Sequence, residues 1–325
     1  MLIRPELAAL RSDDAPQRRA QAAMGAALEH WQGSAPVVSL ADELGRWDTG
    51  AAIDGLPLLA ALFTAGDDTA QHFCAEVMAV FLRELQREPL GQTPLRHYLD
   101  DTVASLTLLR RGMTVLSLQM IDGTALSRLP PAETARFVPC ETWDHILAGT
   151  AQGDRVRIAG TVPEGVCLAR AAVMLGPGDV QHRLGCEAAL CLSKVDGALV
   201  TLRLQRRAGC NDVTREYALS DGSLLHQAAG SPRDSRLELT AALLGRMGRR
   251  DASPLLGAMA EEQGASGLRW QVLRECLALD TAQGFSTLAR IAVNAADPLA
   301  ASAGALHAQL IETYPQLNGI APCPA

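Results

Sequence analysis

Ser235–Gly245 (SRLELTAALLG), Ser266–Cys276 (SGLRWQVLREC) and Pro298–Ala308 (PLAASAGALHA) share one pattern. Leu237, Leu268 and Leu299 fall in register, 31 residues apart (268 − 237 and 299 − 268), and Ala241, Val272 and Ala303 follow four residues later in each. Apolar residues four apart lie on one helical face. Their recurrence predicts stacked helical pairs, because each pair is too short to bury its apolar face alone. Candidate helices cover 235–247, 253–262, 266–278, 284–294 and 298–312, punctuated by Gly248, Gly264, Gly267 and Asp297-Pro298. Ser235-Arg236-Leu237-Glu238 has the form of a capping box at the first of them.

Upstream the period changes from helical to alternating. Ala104, Leu106 and Leu108, then Leu116, Leu118 and Met120, alternate with other residues on either side of Arg111-Gly112, which predicts a β-hairpin. From Asp154 to Ala228 the turn signals Gly176-Pro177-Gly178-Asp179, Asp196-Gly197 and Asp221-Gly222 separate candidate strands at 166–175, 188–193, 198–206, 213–219 and 223–228. Val200, Leu202 and Leu204 point one way while Thr201, Arg203 and Gln205 point the other, the pattern of a sheet wet on one face. Six or more antiparallel strands suit a barrel, a jelly roll or a sandwich. A short helical piece is expected around Thr142 to Ala148.

The first hundred residues read as helical. Apolar stripes mark Gln17 to Trp31, Leu56 to Thr64, and about Asp68 to Arg87, and Thr93-Pro94 has the order of a helix start. The fold class expected is therefore α+β. Residues 1–101 form a helical N-terminal region packed on the β domain, 102–230 an antiparallel β-rich domain, and 235–315 a helical-repeat segment.

In that last segment Asp297 stands at a turn, and Arg269 stands early in the helix at 266–278. With these residues the segment resembles HEAT-type helical repeats, which often carry an Asp at the turn and an Arg early in the second helix. It departs from them at Glu238 and Ala300, which occupy the positions equivalent to Arg269. The resemblance implies a surface for partners. Arg269 and Trp270 are the partner-binding candidates, Trp and Arg being enriched in interface hot spots.

A chain of 325 residues has room for two or three domains, and 48% apolar residues is ordinary for a folded protein. A net charge of −7 argues against a nucleic-acid binder, which needs a cationic surface. No apolar run is long enough for a membrane span, and MLIRPELAAL lacks the layout of a signal peptide. The eight cysteines are scattered, so a cytoplasmic protein with mostly reduced, buried thiols is expected. Phosphate loops, a GxSxG elbow, HExxH and paired CxxC motifs are absent. No cofactor is expected. His182, Cys186, Cys191 and Cys210 come nearest to a metal-ligand set, with Cys167 upstream, but not at zinc-ribbon spacing. A cupin-type metalloprotein suits the strand count, without its clustered histidines and glutamate. His145, after Trp143-Asp144, reads as a surface or interface residue. The leading expectation is a non-enzymatic protein acting through a protein partner or a second copy of itself. The alternative is a small-molecule-binding or sensing protein, including a cupin-like enzyme, with a pocket in the β domain.

Overall fold

The computed structural model describes residues 13–162, 165–207 and 213–319. Helices and antiparallel sheets are both present, so the fold is α+β. The chain divides into two compact units. Among the described residues, those up to Ala135, Cys140–Arg207 and Ala218–Gly222 form the first, and Arg136–Pro139, Val213–Tyr217 and those from Ser223 onward form the second.

The first unit opens with helices α1 (Ala15–Gln32), α2 (Ala35–Asp48), α3 (Pro57–Leu62) and α4 (Thr69–Arg87). Proline stands in the first turn of α1, α2 and α3, where its missing N–H leaves no bond unmade. Helix α2 was not among the expected elements; it begins at Ala35, with Pro36 in its first turn.

The sheet of this unit contains β1 (His97–Leu99), β2 (Val103–Arg111), β3 (Thr114–Asp122), β5 (Cys140–Val162), β6 (Gly165–Leu175), β7 (Val180–Leu184) and β8 (Ala188–Arg207). Its order is β1-β2-β3-β8-β5-β6, with β7 also on β5, and the strand pairs are antiparallel. Between β3 and β5 lie a short helix, α5 (Gly123–Leu126), and strand β4 (Thr134–Phe137).

Three local expectations fail here. Residues 142–148 are strand, not helix, because β7 and β8 flank them on both edges and satisfy their backbone groups. No helix follows Thr93-Pro94; β1 forms instead against β2. Asp196-Gly197 does not reverse the chain but sits inside β8, where the register with β5 shifts. Gly197 (φ 71°) and Gly149 of β5 (φ 83°) take up the irregularity. A Cβ at Gly149 would lie 2.0 Å from the Ala198 carbonyl oxygen, so only glycine fits the bulge.

The central strands of the sheet carry buried residues on both faces, while β1 and most of β6 are exposed. On one, Leu202, Leu204, Leu108 and Leu116 join Leu44, Trp47, Leu59 and Val77 of the helices in one core. On the other, Ile146, Ala151, Leu175, Val195 and Leu199 form a second cluster, and Asp144 and Thr201 are buried as well. The face expected to be wet is polar but enclosed.

The second unit carries strands β9 (Val213–Ala218) and β10 (Leu224–Ala229), in a small sheet of order β10-β9-β4. Helices α6 (Pro232–Arg246), α7 (Ser253–Glu261), α8 (Ser266–Leu279), α9 (Thr281–Val293) and α10 (Ala300–Thr313) follow. Ser231 caps α6 by accepting the Asp234 N–H at 3.0 Å, so the chain turns helical four residues before the expected capping box. Helices α6, α8 and α10 begin 34 residues apart (266 − 232 and 300 − 266). The 31-residue sequence register differs from this by three residues, nearly one turn, and so still selects the same face. Ala241, Val272 and Ala303 are accordingly all buried in one core with Leu256, Leu273 and Leu288. Gly284 of α9 packs so close to α8 that a Cβ would fall 2.5 Å from the Leu277 Cα.

Candidate functional site

Strand alternation separates two polar clusters on β5. Glu141 faces the helical side. Its carboxylate accepts from Arg206 Nε at 2.7 Å, lies 3.0 Å from His182 Nε2 and accepts from Trp143 Nε1 at 3.3 Å. His182 stacks on the Trp143 indole with ring centroids 4.2 Å apart. Arg206 covers the Trp47 ring at 4.2 Å and also donates to the Trp47 carbonyl. Asp144 faces the other side and is 2% exposed. Arg203 grips it through Nε at 2.6 Å and Nη2 at 3.1 Å, and Arg183 through Nη1 at 2.5 Å. Burial pushes both carboxyls up, but the charge and hydrogen bonds of Arg203 and Arg183 at Asp144, and of Arg206 with His182 and Trp143 at Glu141, more than reverse it. Both sit below the ordinary carboxylate range.

These clusters hold the sheet together. The cavity beside Asp144, lined also by Thr201, Arg203, Gln119 and Gln181, has about 30 Å³, room for a water molecule. Val200, Leu202 and Leu204, expected to face a pocket, pack in the core with the helices. His145 is 1% exposed, and its Nδ1 lies 2.7 Å from the Leu62 carbonyl oxygen, so it is a core residue rather than a surface one.

Of the candidate metal ligands, those among the described residues, His182, Cys186 and Cys191, do not form a metal-holding group. His182 pairs with Glu141, Cys191 Sγ contacts the Thr134 carbonyl, and Cys186, in the turn between β7 and β8, is disulfide-bonded. Cys210 lies outside the described residues. Among the described residues, no group of three His, Cys, Asp or Glu is placed to hold a metal ion. Against the expectation of mostly reduced, buried thiols, Cys186 is disulfide-bonded and Cys167 is exposed, while Cys74, Cys140, Cys191 and Cys276 are free and buried or partly buried. Burial raises the thiols of Cys74, to about 12, and Cys276, to about 11, leaving both protonated at neutral pH.

In the helical unit Arg269 is 4% exposed. It donates to Asp297 at 3.1 and 2.5 Å and to the Ala260 carbonyl at 2.8 Å. The two residues singled out for a repeat do meet, but inside the unit, so Arg269 is not available to a partner. Trp270 is half-buried against the same core.

The open surface lies elsewhere on this unit. A groove of about 540 Å³ is lined by Leu277 and Ala278 of α8, Leu306 and Leu310 of α10, and Tyr314 and Leu317 beyond it. Arg274 and Gln316 stand at its polar rim. Arg274 is exposed and has no hydrogen bond or ion pair with any described residue. Leu306 and Leu310 are spaced i, i+4, so a stripe was visible in the sequence; that it packs only partly on the core and lines a groove was not.

No helix among the described residues is long and apolar enough to cross a membrane. No family model matches the chain, and no curated protein matches its sequence. Parts of the chain are similar to solved structures. They include an ectoine synthase from P. lautus, with 13% identity over 34% of this chain and 69% of that one, at a TM-score of 0.23. A putative mannose-6-phosphate isomerase from Ralstonia eutropha has 17% identity over 35% and 93%, at 0.24. A cupin superfamily protein from Desulfitobacterium hafniense has 15% identity over 34% and 82%, at 0.22. No activity follows for this chain from similarity at that level.

Proposed function

We propose that the protein acts through contact with a protein partner, and that the groove between α8 and α10 receives a segment of that partner. One observation carries the reading: an apolar-lined groove of about 540 Å³ whose lining includes an arginine side chain with no partner among the described residues. An amphipathic helix fills such a groove with side chains at i, i+3 or i+4 and i+7. Each apolar anchor it buries contributes about 1.5–3 kcal/mol. Arg274 favours a carboxylate next to those anchors. The partner segment is therefore an amphipathic helix bearing Asp or Glu beside its apolar stripe.

A HEAT-like stack is the frame in which this surface is offered. The Arg269–Asp297 pair supports that arrangement, as do helix starts 34 residues apart. A pocket for an organic ligand inside the β sheet is the poorer reading, because a cavity of about 30 Å³ admits a water and little else.

The test is site-specific photo-crosslinking. The full chain carries p-benzoylphenylalanine at Ala278 in the cells that make it. The expected result is one predominant adduct, joined through an acidic amphipathic segment of another protein and reduced roughly tenfold by Arg274→Glu. No adduct at Ala278, or one that Arg274→Glu leaves undiminished, overturns the proposal. An adduct to a second copy of the chain reassigns the groove to self-association.

A further inference from the structure

The first unit holds a separate cleft of about 240 Å³ between α1, α2, α3 and α4. Its walls include Trp31, Leu40, Leu62 and Phe73. The Trp31 and Phe73 ring centroids are 6.3 Å apart. Four side chains in the lining carry hydrogen-bonding groups, Trp31 among them through its indole N–H. The Ser34 hydroxyl donates to the Trp31 carbonyl at 2.8 Å, and the Thr69 hydroxyl donates to the Asp67 carboxylate. Glu76 is exposed and makes no hydrogen bond or ion pair with any described residue. No arginine, lysine or histidine among the described residues lines the cleft.

We propose that this cleft binds a small amine: an apolar body of about ten non-hydrogen atoms bearing one ammonium group. The size follows from the volume, which lies below the range of about 300–1,000 Å³ typical of drug-sized sites. The charge follows from the lining. Both hydroxyls are already committed as donors and keep only their acceptor oxygens, and the Glu76 carboxylate is the one charged group among the lining residues. An anion would meet Glu76 with no cation to offset it. The faces of Trp31 and Phe73 accept an apolar body and attract a cation through their ring quadrupoles. The proposal stands on a different unit and a different observation from the docking groove, and neither depends on the other.

Isothermal titration of the full chain with three probes of one shape tests it: 4-phenylbutylamine, 4-phenylbutanol and 4-phenylbutyrate. The amine is expected to saturate with a Kd below about 1 mM. The alcohol binds at least about fivefold more weakly, and the acid gives no heat of binding. Glu76→Gln, at an exposed position, brings the amine down to the affinity of the alcohol. The proposal is overturned if the alcohol or the acid binds as tightly as the amine, or if Glu76→Gln leaves amine affinity unchanged. Absence of binding by the amine up to about 5 mM overturns it equally.

Discussion

Asp144 is the most constrained residue of the sheet. It is almost wholly buried between Arg203 and Arg183, and removing the carboxylate charge would leave two guanidinium groups without their counter-ion. Breaking such a pair from one side costs about 3–5 kcal/mol. Asp144→Asn is expected to lose that much stability in urea unfolding at pH 7. The pH dependence follows from the same geometry. Asp144 and Glu141 have folded carboxyls held below the ordinary range, so they bind protons less readily folded than unfolded. Their contribution is complete above the unfolded values near about 4 and is lost as pH falls through the lower folded values. The urea midpoint should be level from pH 7 to about 5 and fall below about 4. A midpoint that rises in acid, or an Asp144→Asn variant as stable as the parent, would contradict the pairing.

Among the helices, α8 and α9 approach each other closely. Gly284 lets the two helices close to a distance that leaves no space for a methyl group against the Leu277 backbone. A backbone cannot yield as a side-chain tip can. Gly284→Ala therefore adds overpacking of about 1–3 kcal/mol, against a helix-propensity gain of up to about 1 kcal/mol. The expected outcome is a lower melting temperature for the helical unit, with unchanged helix content at 20 °C by circular dichroism. A variant melting above the parent would show that the helices separate at little cost. Strand β8 makes the contrasting case. There Gly197 and Gly149 absorb a bulge that keeps a 20-residue strand in one sheet, where a dipeptide reading placed a reversal.

At the scale of the molecule, the sheet and the helices of the first unit share one core. Leu204 is fully buried within it. Leu204→Ala is expected to cost about 2–5 kcal/mol. Because the core is shared, amide protection in α2 and in β8 should fall together as denaturant is raised; loss in β8 alone would mean that the sheet and helices unfold separately. What the sequence by itself determined is the α+β class, the hairpin at β2 and β3, the helical tail and the face that tail buries. All of these rest on periodicity, which is a property of neighbours along the chain. Tertiary structure alone decided that residues 142–148 are strand, because the partners that satisfy their backbone lie on β7 and β8. It also decided that Arg269 closes on Asp297 instead of facing a partner, that His182 joins Glu141 instead of the cysteines, and that Leu277, Leu306 and Leu310 line an open groove. A stripe of leucines reads the same whether or not another element covers it. Only the packing of the chain on itself settles which apolar faces are spent on the core and which are left for something else.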